Sequence, residues 1–297
     1  KDQNYVLDLF DSTHYLSAET SSPENRVKYL QAREFHSEQL GVDIGFDLLG
    51  DFRKKVEEFQ PDFMIYSVVE DSWLQCSRML TAIQDLKIPH IVGGVFPTAA
   101  PEVVLRSGLV ENVAIGEGEE VIIEAAEAVR SGNPIQEIAN ICWLDEQGGF
   151  RKNPVRPLVN INKVVPDYSL FAQSRFYRPM GGRIFKTIPV ETYRGCPFTC
   201  TYCNSPMHKD FSKEHGLGSF LRRKKMDLLA SELRVYKKLY DPDFFYFVDD
   251  SFLARPEKEI YDFCEMYKEF QLPFWFNTRP DHCKLEVLKA LKAVGGY

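Results

Sequence analysis

Short apolar runs alternate with amphipathic stretches along the first 130 residues. Strand-like runs occur at 5–10, 42–48, 63–69, 90–94 and 113–116. Helical patterns occur at 51–59, 74–86 and 119–130. Near-continuous apolar strands separated by helices are typical of a parallel sheet covered on both faces. The pattern therefore predicts a doubly wound α/β domain over residues 1–130, with its ligand at the carboxyl ends of the strands.

The pattern changes over residues 131–186, where prolines interrupt the periodicity. This segment is expected to be a linker, with a small hairpin of strands at 141–144 and 150–153. From residue 187 the α/β alternation resumes, with strands at 188–193, 244–248 and 273–276 and helices between them. These successive βα units predict the first part of a barrel over residues 187–297. The residues after Cys203 suffice for about three such units, so we expect this barrel to be incomplete at its C-terminal side.

Composition narrows the class of protein. The chain of 297 residues is 44% hydrophobic and 27% charged, with a formal net charge of −7. An acidic chain is a poor candidate for a protein that coats nucleic acid, and no apolar run reaches the length of about 18 residues that spans a bilayer. Seven cysteines at irregular spacing do not resemble a secreted disulfide framework. We therefore expect a cytoplasmic protein with no membrane span and no nucleic-acid partner.

Three cysteines lie in one short loop that directly follows the strand at 188–193. Cys196, Cys200 and Cys203 have a CxxxCxxC spacing, so that their thiols can bind one inorganic centre. A structural zinc site takes four ligands, and His208 is the nearest candidate for a fourth. A fully ligated 4Fe–4S cluster also takes four cysteines. Three thiols leave one iron open, which a substrate-binding cluster requires.

This motif, with the aromatic Tyr202 before its third cysteine, resembles the radical S-adenosylmethionine (SAM) superfamily. The resemblance implies that Cys196, Cys200 and Cys203 hold a 4Fe–4S cluster, whose fourth iron is chelated by the amino and carboxylate groups of SAM. It also implies that the reduced cluster cleaves SAM to a 5′-deoxyadenosyl radical, which abstracts a hydrogen from a small-molecule or peptide substrate. An electron donor such as flavodoxin or ferredoxin would be a partner.

Two segments after predicted strands extend the resemblance to the subgroup with an N-terminal cobalamin-binding domain. In the first, at 247–252, Asp249 and Asp250 occupy the strand end where the superfamily often binds the SAM amino group. One of them is equally expected to cap the loop. In the second, at 276–279, Asn277 and Arg279 would point into the barrel mouth, although Arg279 also fits a structural ion pair.

Two glycine turns in the first domain resemble those of cobalamin-binding domains. Gly93 and Gly94 follow one predicted strand, and Gly116 and Glu117 follow the next. Glycines at strand ends allow the backbone to approach a bulky ligand closely. The Asp-x-His-x-x-Gly motif that supplies a histidine to cobalt is absent, so a bound corrinoid would lack that ligand.

The leading hypothesis is a cobalamin-dependent radical SAM enzyme, a C-methyltransferase or a catalyst of a related radical reaction. The first alternative is a radical SAM enzyme whose N-terminal domain binds no cobalamin, and the second is a non-catalytic cobalamin or iron–sulfur binding protein. The substrate and the catalytic side chains are not identified. Two further expectations are a mobile loop at 211–220 and a solvated helix start at 222–225. Finally, the two glycine turns should face the cysteine loop across a cleft.

Overall fold

A computed structural model describes residues 5–15, 41, 44–180 and 183–297. The chain divides into two compact units. The first comprises residues 47–159 and 200–219, and the second comprises the described residues of 1–46, 160–199 and 220–297. The domain bounds given by the sequence pattern stay a prediction.

The first unit is built on a five-stranded sheet whose order follows the chain. Its strands are β1 (Met64–Ser67), β2 (His90–Gly93), β3 (Val113–Ala114), β4 (Ile141–Leu144) and β5 (Phe150–Lys152). Strands β1, β2 and β3 are parallel, and β4 and β5 continue the sheet as an antiparallel hairpin. Helices lie at Leu48–Phe59, Glu70–Ala82, Val95–Ala99, Pro101–Leu105, Val121–Ser131 and Ser205–Glu214.

Both predicted strands of the hairpin belong to this sheet, although the sequence pattern assigns them to a linker. Their inclusion extends the sheet past Pro134, the first of the prolines that interrupt the periodicity. Apolar side chains on β2 and β3 are fully buried, among them Ile91, Val92 and Val113, whereas Ile65 on the edge strand β1 is exposed. An α/β fold with a parallel sheet is thus confirmed for this part of the chain.

The strands predicted at 5–10 and 42–48 are wrong where the structure describes them. Residues 5–10 form no strand, and Val6 is 82% exposed, so the apolar run there is not buried as a sheet strand would be. Positions 42 and 43 lie outside the described residues. At 44–48 the chain makes a single bridge at Gly45, and then Asp47 caps the helix that begins at Leu48 by accepting a hydrogen bond from the Gly50 N–H.

The second unit contains a four-stranded sheet. Its strands are β6 (Tyr177–Met180), β7 (Arg183–Val190), β10 (Phe244–Phe247) and β11 (Phe274–Phe276), and their order in the sheet is β11-β10-β7-β6. Strands β7, β10 and β11 are parallel, as the βα pattern predicts, whereas β6 is antiparallel to β7. Strand β6 was not predicted because it contains Pro179, which an edge strand tolerates. Helices of this unit include Met226–Tyr240, Glu257–Tyr267 and Leu285–Ala293.

Aromatic rings form much of the core of this sheet. Phe247 contacts the rings of Phe263, Tyr267 and Phe274, each with centroids 5.2–5.9 Å away. All four side chains are fully buried. Such a core fixes β10 and β11, and therefore also fixes where the loops at their carboxyl ends begin.

Two loop predictions are corrected by the structure. The helix Ser205–Glu214 occupies part of the predicted mobile loop at 211–220. The basic run at 222–225 does not start a solvated helix, because Arg222 and Arg223 form strand β9 and Lys224 is buried. The Lys224 ammonium forms an ion pair with the buried carboxylate of Glu232, and a buried charge requires such a partner.

Candidate functional site

The cysteine loop follows strand β7 by way of a two-residue strand, β8 (Tyr193–Arg194). Cys196 is buried, Cys200 is half-buried and Cys203 is exposed. The loop ends at Ser205, where the next helix begins. The motif therefore lies after the carboxyl end of a parallel strand, as the sequence analysis predicts.

Strand pairing and a glycine with a positive φ fix the backbone conformation where this loop begins. Strand β8 pairs antiparallel with β9, so that Tyr193 lies opposite Arg223. Gly195 has a φ of +91°, and a Cβ built on it would lie 2.3 Å from the carbonyl oxygen of Phe220. Only glycine fits there without displacing backbone. Gly195 therefore has a structural role that the motif alone does not reveal.

The donor set fits an iron–sulfur cluster chemically. All seven cysteines lie among the described residues, and none forms a disulfide. The backbone N–H of Ser205 donates a hydrogen bond to the Cys203 sulfur at 3.4 Å, and Ser205 begins a helix. An N–H donor and a helix N-terminus both favour a thiolate, which is the form that binds iron.

The distances between the cysteines also bear on which inorganic centre they can bind. Within the described residues, no group of three or more His, Cys, Asp or Glu side chains is arranged to hold a single metal ion. Zinc ligands must converge on one ion. Cysteines that bind different irons of one cluster lie farther apart than the ligands of a single ion, although they still surround one centre.

The cysteines outside the motif are mostly protected thiols. Burial raises the pKa of Cys76 to about 12 and the pKa of Cys142 and Cys264 to about 11. These three side chains are buried in the core. They resemble small core residues and not ligands.

Asp249 follows β10 and is enclosed by protein groups. Its carboxylate accepts hydrogen bonds from the backbone N–H groups of Thr192 and Tyr193 at 2.7 and 3.0 Å, and also from the Thr192 hydroxyl. The Arg255 guanidinium donates to the same carboxylate at 2.7 Å. Asp249 is 1% exposed. Burial raises its pKa, and Arg255 and the three donors oppose that rise.

The other predicted SAM-site residues of these strand ends are accessible. Asp250 is exposed, and the side chain of Asn277 exchanges hydrogen bonds with the Tyr246 hydroxyl at 2.9 and 3.1 Å. Tyr202, in the cysteine loop, is 90% exposed. These positions are therefore candidates for ligand contact.

Arg279 contacts the cysteine loop itself. Its guanidinium lies 4.3 Å from the ring centroid of Phe198, which stands between Cys196 and Cys200. It also pairs with Asp281 at 2.8 Å. The ion pair that the sequence allows for Arg279 is therefore present, and the same side chain lies against the loop.

Two residues of this contact, Phe198 and His282, were not identified from the sequence. The His282 ring packs edge-on against Phe198 with centroids 4.9 Å apart. The available signal was the aromatic residue between the first two cysteines, since a large apolar ring in a ligand loop needs a packing partner.

The two glycine turns of the first unit are joined by a residue that the sequence analysis did not select. The Thr98 hydroxyl donates to the Gly94 carbonyl at 2.8 Å and accepts from the Gly116 N–H at 2.9 Å. Gly94 has a φ of +117°, and a Cβ there would lie 2.5 Å from the Val68 carbonyl oxygen. Gly93 and Gly94 are thus fixed next to Gly116 at the carboxyl edge of β2 and β3.

Glu117 has a partner within the same unit. Its carboxylate accepts a hydrogen bond from the Val159 N–H at 2.7 Å. Nearby, the buried amide of Asn140 donates to the Ile115 carbonyl at 2.8 Å and accepts from the Arg156 N–H at 2.9 Å. These bonds hold the segment that follows β5 against the turn after β3.

A cavity of about 790 Å³ lies elsewhere in this unit, near the amino ends of β2 and β3. Its lining includes Lys87, His90 and Asn112. Ligands of parallel α/β sheets bind at the opposite, carboxyl edge. The cavity is therefore not the predicted cofactor site.

Comparison with known proteins found relatives in sequence and in fold. No family model matches the chain. An uncharacterized methyltransferase of Pyrococcus horikoshii is 24% identical over 288 residues, covering 93% of this chain and 59% of that protein. The anaerobic magnesium-protoporphyrin IX monomethyl ester cyclase of Rubrivivax gelatinosus is 24% identical over 238 residues, covering 76% of this chain and 40% of that protein. The chain thus spans about half the length of the curated relatives it matches.

Two solved enzymes share the fold. The radical SAM methyltransferase TsrM of Kitasatospora setae, solved with tryptophan and a SAM analog, gives a TM-score of 0.59 at 16% identity, covering 87% of this chain and 53% of TsrM. The cobalamin-dependent SAM radical enzyme OxsB, solved with aqua-cobalamin and SAM, gives a TM-score of 0.59 at 19% identity, covering 94% of this chain and 40% of OxsB. The resemblance inferred from the sequence is confirmed at the level of the fold. In the part of the chain that the structure describes, no helix is long and apolar enough to cross a membrane.

Proposed function

We propose that this chain, which has the fold of cobalamin-dependent radical SAM enzymes, binds a 4Fe–4S cluster through Cys196, Cys200 and Cys203 and uses it to cleave SAM. The observation that carries the proposal is the three-cysteine loop, which follows a parallel strand in a fold shared with TsrM and OxsB. When bound, the cluster supplies an open iron for SAM and one electron for its reductive cleavage.

Different residues of the chain have different proposed roles at this site. The three thiolates hold the cluster, and the Ser205 N–H stabilises charge on the Cys203 sulfur. Asp250 is proposed to accept hydrogen bonds from the SAM amino group, since it is the exposed carboxylate of the pair after β10. Asn277, Arg279 and Tyr202 are proposed to line the SAM site, and the contact between Arg279 and Phe198 supports this placement.

We further propose that the first unit binds cobalamin as a methyl carrier, with the corrinoid against the turns at Gly93, Gly94, Gly116 and Glu117. The Thr98 hydroxyl, which forms hydrogen bonds with both turns, supports this assignment. These bonds keep the two turns at one sheet edge in a fixed geometry. Bound cobalamin in OxsB lies in a protein of the same fold. The reaction would be methyl transfer to a carbon of a small-molecule or peptide substrate, or a related radical transformation.

The second candidate function is a radical SAM enzyme that binds no cobalamin. One observation favours it, namely the absence of the Asp-x-His-x-x-Gly motif from the chain. Both candidates require an electron donor such as flavodoxin or ferredoxin, and both are proposed to act in the cytoplasm.

Anaerobic reconstitution with iron, sulfide and hydroxocobalamin, followed by gel filtration and visible spectroscopy, tests the proposal. The expected result is a broad iron–sulfur absorption together with corrinoid bands on the same chain. A cluster without retained corrinoid would favour the second candidate. A chain that retains neither group would contradict both.

A further inference from the structure

Asp249 is the most completely coordinated carboxylate at the ends of the parallel strands. Its side chain is fully buried, and the Arg255 side chain beside it is 4% exposed. Both oxygens are used, because Oδ1 accepts from two backbone N–H groups and Oδ2 accepts from Thr192 and Arg255. A carboxylate with four protein donors has little remaining capacity for a ligand.

The donors belong to the segment that leads into the cysteine loop. Thr192 and Tyr193 precede Cys196 by four and three positions, and no regular strand pairing with β10 extends to them. Asp249 thereby fixes two successive amides just before the loop. The carbonyl of Thr192 is held from the other side by the Lys224 N–H at 2.9 Å.

Arg255 completes the arrangement. Its Nη2 atom donates to both Asp249 and the Thr192 hydroxyl, and its Nε atom donates to the Phe252 carbonyl at 2.6 Å. Its guanidinium also lies 5.4 Å from the centroid of the Tyr193 ring. The buried carboxylate thus has a buried cation as its partner, as an ionised group requires in a dry environment.

We propose that Asp249 is a positioning residue, which together with Arg255 fixes the backbone at Thr192 and Tyr193 and so places Cys196 for the cluster. This inference rests on the proposed cluster and replaces the SAM contact that the sequence motif suggests for Asp249. The adjacent Asp250 is the exposed carboxylate of the pair.

Replacement of Asp249 by asparagine is informative because the amide oxygen of the new side chain would still accept the two backbone bonds. The new NH₂ group, however, would face the Arg255 guanidinium, donor against donor, and leave that cation without a counter-charge. Asp262 provides a matched control, since it is a partly exposed carboxylate paired with Lys258 at 2.7 Å. Thr192→Val is a milder second variant that keeps both backbone N–H groups.

The experiment compares the unaltered chain with Asp249→Asn, Thr192→Val and Asp262→Asn. Hydrogen–deuterium exchange on the cluster-free chains should show faster amide exchange at 192–193 in the first two variants and no change in Asp262→Asn. After reconstitution, a chelator should remove iron about 10- to 100-fold faster from Asp249→Asn than from the unaltered chain, as for losses of groups that orient metal ligands. The cluster that remains should still change its electron paramagnetic resonance spectrum when SAM is added.

Three outcomes overturn the inference or its premise. Normal exchange and normal iron retention in Asp249→Asn, with SAM no longer affecting the spectrum, would make Asp249 a SAM ligand. If Asp249→Asn does not fold, unchanged exchange and iron retention in Thr192→Val would overturn the positioning role. If the unaltered chain itself takes up no iron, the proposed function fails, while exchange at 192–193 still decides whether Asp249 holds this segment.

Discussion

At the scale of single residues, the seven cysteines differ from one another in their exposure to solvent. Cys203 and Cys283 are exposed, whereas Cys76, Cys142 and Cys264 are buried. Burial disfavours the thiolate, and the thiolate is the reactive form. The same side-chain chemistry is therefore divided between accessible thiols and protected core thiols.

This division predicts the alkylation pattern of the cluster-free chain. Iodoacetamide at pH ~8 should modify Cys203 and Cys283 rapidly and leave the three core thiols unmodified, because their raised pKa values of about 11 to 12 keep them protonated. Peptide mass spectrometry measures the extent at each site. Modification of Cys142 as fast as Cys203 in the folded chain would contradict the assignment.

Gly195 gives a second prediction at this scale. Gly195→Ala should destabilise the chain by about 1–3 kcal/mol, since a non-glycine residue would be forced into the left-handed region, against the Phe220 carbonyl oxygen. Gly216 is the matched control, because its φ is +62° but no atom lies within 4 Å of a built Cβ. Urea unfolding should show a smaller loss for Gly216→Ala. Equal losses would mean that the close approach at Gly195 has no energetic consequence.

At the scale of elements, regular hydrophobic periodicity predicts a helix correctly, whereas short elements that contain a proline are not predicted. The helix Met226–Tyr240 buries Leu229, Leu233, Tyr236 and Tyr240, whose spacing places them on one face of a helix. In contrast, the short helices Val95–Ala99 and Pro101–Leu105 were missed, since each spans little more than one turn and contains a proline. The run at 5–10 failed for a different reason. Its apolar run resembles a strand, but a strand requires a partner that sequence does not supply.

The site residues also divide into those that a sequence motif identifies and those that only the structure identifies. The motif spacing identified the loop, whereas Thr98, Phe198 and His282 depend on contacts between segments distant in sequence. Asp249 is intermediate, because its place at a strand end was predictable but its enclosure by Thr192 and Arg255 was not. Long-range partners are what a single sequence cannot provide.

Thr98 allows a test of the link between the glycine turns. Thr98→Val removes a buried hydroxyl that both donates and accepts, so it should cost about 1–3 kcal/mol by leaving the Gly116 N–H without its acceptor. Under the cobalamin proposal it should also weaken corrinoid retention in equilibrium dialysis. Thr81→Val is the control, since that hydroxyl is exposed and bonds within one helix. Stability and retention equal to the control would contradict a role for the bridge.

On the scale of the whole molecule, two compact units each contain a parallel sheet, and predicted site residues follow the carboxyl ends of the strands in both. The fold is shared with TsrM and OxsB over most of the chain. The predicted cleft between the glycine turns and the cysteine loop stays a prediction. The proposed function depends first on three thiols that bind a cluster with one open iron.

Electron paramagnetic resonance of the reconstituted, reduced chain, combined with iron analysis, tests that claim most directly. We expect about four irons per chain and a spectrum that changes when SAM is added, because SAM would bind the open iron. Cys196→Ala, Cys200→Ala and Cys203→Ala should each lose the signal, whereas Cys264→Ala should retain it. A SAM-responsive cluster that persists in Cys196→Ala, or an intact cluster in the unaltered chain that does not respond to SAM, would contradict the proposed function.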